Sequence, residues 1–168
     1  MNKNWRQVVF AVFALPLLGG AINLYADKKT AAEPSDRTAM ESVLDRYSRI
    51  HRDIVTDSRG EIKDDASLLW VAAGKVRDKT LSSAIQKAAK LMISDSSTGM
   101  GHPSIPQAMD DFKKLSAPIV EWVKKNKPEG WSVIYCSKLD ASWVQRKDLE
   151  IQNPYSGEDM RSCGEKVS

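Results

Sequence analysis

Residues 38–55, TAMESVLDRYSRIHRDIV, decide the fold class. Met40, Val43, Leu44, Tyr47, Ile50, Ile54 and Val55 recur at the spacing of three and four that lines one face of a helix. Thr38 and Glu41 fit a capping box, in which each side chain satisfies the other's free backbone donor. The pattern predicts a first helix from Thr38 to about Val55, ended by residues 56–60. Working outward, residues 64–78 carry Leu68, Leu69, Ala72, Ala73 and Val76 as an inward face, and residues 81–93 do the same with Leu81, Ile85, Ala88, Ala89 and Met92. Residues 94–103 read as a loop from their Ser, Gly and Pro content.

A fourth helix starts at Ser104, with Gln107 completing a second capping box and Pro106 in the first turn, where a missing N–H costs little. Met109, Phe112, Leu115, Ser116, Ile119, Trp122 and Val123 form its stripe, Pro118 should kink it, and Lys127-Pro128-Glu129-Gly130 stops it. Residues 131–136 then read as a short extended segment, and the rest as loop punctuated by Asn153-Pro154 and Gly157. The expectation is an all-α fold: an antiparallel bundle of about four helices with a loop-rich C-terminal flap.

The chain has 168 residues, 42% hydrophobic and 28% charged, the composition of one ordinary globular domain. Its formal charge is +3, and Lys3 and Arg6 account for most of the excess. A domain so nearly neutral offers no basic face for nucleic acid. Residues 1–26 fit an export signal: Lys3 and Arg6, an apolar run over residues 8–18, then small residues and Leu24-Tyr25-Ala26 as a cleavage site. The run is short for a membrane span, so membrane contact is expected only through an uncleaved signal. Residues 27–37 read as a linker and 38–168 as the domain, placed in the periplasm or otherwise exported.

The two cysteines, Cys136 and Cys163, are the chemistry-bearing pair. With the Met160 thioether they form a soft donor set suited to Cu(I) or a similar ion. Met100 and His102, in the loop before the fourth helix, are further candidate ligands. In an oxidising compartment the same thiols can instead join as a disulfide. Trp143, Asn153, Pro154 and Tyr155 read as residues that fold the tail onto the helices, and Gly157 and Gly164 as tight turns at positive φ. His51 falls near the apolar stripe of the first helix as a boundary residue. There is no Cys-x-x-Cys, no Gly-rich phosphate loop and no zinc-hydrolase motif, so no enzyme is expected.

Cys136, Trp143 and the run Ile151-Gln152-Asn153-Pro154-Tyr155-Ser156-Gly157-Glu158-Asp159-Met160-Arg161-Ser162-Cys163-Gly164 resemble one family's C-terminal motif. It is the periplasmic domain-of-unknown-function family 3347, whose pattern is a short helical bundle, Cys-Pro-Met, a Trp, then Ile-x-Asn-Pro-Tyr-x-Gly-x-x-Met-x-x-Cys-Gly. Phe112 followed by Leu115-Ser116 is similar to that family's last helix. Such domains occur alone or fused to adaptor subunits of heavy-metal efflux pumps. The resemblance implies an accessory protein that handles copper or a similar metal, with an efflux adaptor or another envelope protein as partner. Where the family has Cys-Pro-Met, this chain has Cys136-Ser137-Lys138, an ammonium in place of a thioether. The alternative function is a disulfide-stapled helical module that binds an envelope partner without metal.

Overall fold

The computed structural model describes residues 34–94, 99 and 101–167. The expected signal, most of the expected linker, and Met100 lie outside the described residues. Among the described residues, no helix is long and apolar enough to cross a membrane.

Helix α1 spans Pro34–Val55, so it begins a turn before Thr38 and the Thr38–Glu41 pair lies inside it. Helix α2 spans Arg59–Ala73, earlier than its apolar pattern suggested. Ile62 and Ala66 extend its buried face toward the N-terminus, while Leu68, expected to face inward, is 46% exposed. Helix α3 spans Lys79–Ser94. Asp78 caps it, its Oδ1 accepting the Thr80 and Leu81 N–H groups at 3.0 Å each. Helix α4 spans Ile105–Asn126 and is continuous through Pro118. Ser104 Oγ accepts the Gln107 N–H as the sequence predicts, and Lys127 ends the helix in the left-handed region at φ 46°.

The helices pack in chain order, α1 on α2, α2 on α3 and α3 on α4. Their facing stripes bury Leu44, Tyr47, Ile50, Leu69, Ile85, Phe112 and Ile119 completely.

The all-α expectation is corrected by the C-terminal third. Strand β1 (Trp131–Cys136) pairs antiparallel with β2 (Ala141–Arg146), and a short β3 (Glu165–Lys166) pairs with the other edge of β1, giving the order β2-β1-β3. A four-residue turn, Ser137 to Asp140, joins β1 to β2, with Asp140 at φ 43° and its carboxylate accepting the Tyr135 hydroxyl at 3.0 Å.

Side chains alternate across a sheet, and the register Val133↔Val144 and Ile134↔Trp143 divides this one into two faces. Val133 and Val144 belong to the helical core together with Trp131. Ile134, Cys136 and Trp143 form a second, smaller cluster. Ile151, Tyr155 and Cys163 of the tail pack against that second cluster. The tail therefore covers one face of a sheet whose opposite face rests on the helices, and Tyr155 of the tail also packs against the helical core.

Candidate functional site

Cys136 ends β1, and Cys163 follows a turn at residues 161–162 and lies two residues before β3. The pairing of β3 with Ile134 and Tyr135 brings the two cysteines together, and they form a disulfide with Cα atoms 5.6 Å apart. Of the two chemistries open to this pair, the disulfide is the one present. A bonded sulfur is not a thiolate and is no ligand for a metal ion.

Of the other expected metal ligands, Met100 lies outside the described residues, and Met160 and His102 are placed as follows. Met160 lies in a 3-10 turn (Glu158–Met160), and its carbonyl accepts the Cys163 N–H at 2.9 Å. Its thioether is not among the side chains packed around the disulfide. His102 sits just before α4 with Nδ1 at 3.2 Å from the Pro103 carbonyl oxygen. Lys138 is exposed in the β1–β2 turn. Among the described residues no group of three His, Cys, Asp or Glu side chains is arranged to hold a metal.

What the tail motif builds is a buried aromatic junction. Trp143 is fully buried, and Tyr155 meets it edge-on, centroids 5.9 Å apart at 84°. Tyr155 also approaches Phe112 of α4 at 6.1 Å, and Phe112 stacks on Tyr47 of α1 at 4.6 Å. Trp143 thus pins the tail to the sheet, whereas Tyr155 reaches past it to the helices.

The hydroxyls along this path are all spoken for. Tyr47 Oη accepts the Val144 N–H at 3.2 Å and donates to Ser116 Oγ at 2.7 Å, while Ser116 donates to the Phe112 carbonyl at 2.8 Å. The Tyr155 hydroxyl lies 2.8 Å from Ser116 Oγ and 3.0 Å from the Ser142 carbonyl, one proton between two acceptors. Burial pushes both phenols above their ordinary range, well above it for Tyr155. They stay neutral and act as struts between α1, α4, β2 and the tail.

Gln145 holds the segment before Asn153. Its Nε2 donates to the Glu150 carbonyl at 2.6 Å, and its Oε1 accepts the Gln152 N–H at 3.1 Å and the Trp143 indole N–H at 3.3 Å. Asn153 is buried and folds the chain back: its N–H reaches the Arg161 carbonyl at 2.6 Å and its Oδ1 accepts the Tyr155 N–H at 2.9 Å. This is an Asx turn, and it presents Pro154 and Tyr155 to the core. Sequence reasoning missed Gln145, although its place two residues after Trp143 puts both on one face of a strand.

The two glycines differ. Gly164 has φ +153°, and a Cβ there would lie 2.6 Å from Ile134 Cγ2 and 2.8 Å from the Trp143 ring. Only a residue without a side chain fits. Gly157 has φ −69° and open space where a Cβ would be, so the expectation of a positive φ there is corrected.

His51 is buried, with Nε2 at 2.7 Å from the Gln152 carbonyl oxygen. That oxygen can only accept, so Nε2 carries the proton and Nδ1 keeps its lone pair. Burial lowers the imidazole pKa to about 4, the Gln152 hydrogen bond opposing it only in part.

No protein-family model matches this chain, and neither a curated protein nor a solved structure is significantly similar to it.

Proposed function

We propose that the protein is an exported, non-enzymatic binding module of the cell envelope, stapled by Cys136–Cys163 and docking on an envelope partner such as an efflux-pump adaptor. The single observation that carries this reading is the disulfide itself, which engages both cysteines of the chain. Two features add to it: the signal-like residues 1–26, and the resemblance of the tail to the periplasmic family 3347. The buried, neutral hydroxyls of Tyr47, Ser116 and Tyr155 support the non-enzymatic part, because each is committed to the fold. A thiol count on protein isolated from the periplasm tests the reading. Zero free thiols that persist under mild reductant support it, and two readily reactive thiols in the folded protein overturn it.

A second reading draws on the short spacing of Met160 and Cys163, held within one turn by the Cys163 N–H bond to Met160. On reduction, Cys136, Cys163 and the Met160 thioether would be available to Cu(I) or another soft ion, and the protein would handle metal in an efflux setting. Mass spectrometry of the reduced protein with Cu(I) under chelator competition tests it. Retention lost in Cys163→Ser supports the reading. No retention, or retention unchanged in that variant, overturns it.

A further inference from the structure

A cleft of about 540 Å³ lies between α1 and the edge strand β2, bordered by the segment that follows β2. It is distinct from the disulfide cluster, and its volume is in the range of small-molecule sites. Three guanidinium groups line it: Arg49 and Arg52 from α1 and Arg146 from β2.

Arg49 is exposed and makes no hydrogen bond or ion pair among the described residues. Arg52 gives two of its donors to Asp53 Oδ1, at 2.7 and 3.0 Å. Arg146 lies over the Trp131 ring at 4.8 Å and reaches Asp45 only at 3.5 Å. A guanidinium has five N–H donors in a planar fork, so all three retain donors for a ligand. Against them stands one carboxylate in the lining, Glu150.

The walls supply the other half of the chemistry. Leu149 lines the cleft and is 57% exposed, a large apolar side chain left facing water, while Val144 forms its floor at 1% exposure. His51 also lines it as a neutral ring. Its Nε2–H is taken by Gln152 and its Nδ1 is an acceptor, so it adds no positive charge. A guanidinium fork matches a carboxylate in two parallel hydrogen bonds. Glu150 opposes a dianion such as phosphate more than a monoanion, and apolar walls give phosphate nothing.

We propose that this cleft binds an organic carboxylate with an apolar body, its anionic head on Arg49 and Arg146 and its body against Leu149.

Isothermal titration of the full chain, disulfide intact, tests this with three probes: octanoate, neutral octanol and inorganic phosphate. Octanoate is expected to bind and phosphate not. Arg49→Gln should weaken octanoate about tenfold, the loss of one charge-assisted contact, and leave octanol unchanged. Leu149→Ser should weaken both alkyl probes. Amide NMR shifts with octanoate should centre on residues 48–52 and 144–152. Absence of octanoate binding, octanoate affinity in Arg49→Gln and Arg146→Gln equal to that of the unsubstituted chain, phosphate binding as tight as octanoate, or shifts centred elsewhere would each overturn the proposal. Arg49 is a surface residue, so folding of its variant is checked by an unchanged unfolding midpoint.

Discussion

Replacing Gly164 by alanine tests whether the tail is packed against the sheet as tightly as its geometry demands. The new methyl would stand 2.6 Å from Ile134 Cγ2 and 2.8 Å from Trp143, and neither neighbour has room to withdraw, because both are buried in the same small cluster. Overpacking a closed site costs about 1–3 kcal/mol. Holding a non-glycine residue at φ +153° adds about 1–3 kcal/mol more. Part of the clash relaxes by shifting the tail, so the expected loss is about 3 kcal/mol. With a urea slope of about 2 kcal/mol/M, the midpoint falls by about 1.5 M. Gly157→Ala is the matched control. It has an ordinary φ and no atom within 4 Å of the added carbon, so it should be neutral or raise stability by up to about 1 kcal/mol through the unfolded chain. Both are measured by urea unfolding with the disulfide intact. A Gly164→Ala loss below about 0.5 kcal/mol, or equal losses at the two glycines, would refute the packing described for the tail.

Three further expectations follow from the same geometry. Serine at both Cys136 and Cys163 opens a loop with a sequence separation of 27 and should cost about 3–4 kcal/mol by the chain-entropy relation, read by chemical denaturation; a cost below about 1 kcal/mol would contradict it. The His51 imidazole, lowered to about 4 from an ordinary 6.5, favours the folded state above the unfolded pKa, and that stability is lost as pH falls from 6.5 toward 4. The loss should reach about 3 kcal/mol and be absent in His51→Gln, so parallel stability–pH curves for the two proteins would count against it. Ser116→Ala strands the Tyr47 hydroxyl, whose proton has no second acceptor, and should cost about 1–3 kcal/mol, more than Tyr155→Phe, which leaves Ser116 still bonded to Tyr47; the reverse order in unfolding midpoints would refute that network.

Much of the helical half was legible because an amphipathic helix writes its period into the chain. Leu44, Tyr47, Phe112 and Ile119 were placed in the core by spacing alone and are fully buried. Ser104 was recognisable as a cap because a side-chain oxygen and an N–H three residues on need nothing beyond local chain. The register of α2 was less visible: an early run of Lys and Asp hides Ile62 and Ala66, and Leu68 fits the apolar pattern yet faces water.

The strand pair was harder. Residues 131–136 are buried on both faces, so they show no polar alternation, and residues 141–146 mix Ser, Gln and Arg with Trp and Val. Their period of two appears only once Val133 is set opposite Val144 and Ile134 opposite Trp143.

By itself the sequence determined the four helices, the Ser104 cap and most of the side chains that leave water, since each depends on neighbours within a few residues. It also singled out Cys136 and Cys163 as the one reactive pair. Tertiary structure decided the rest. Their 27-residue separation means that only the pairing of β3 with β1 could bring the two sulfurs within bonding reach and so choose disulfide over free thiols. The same pairing set Gly164 against Trp143. It is the long-range register of the sheet, invisible to any local pattern, that turns a soft-donor motif into a staple and a buried aromatic junction.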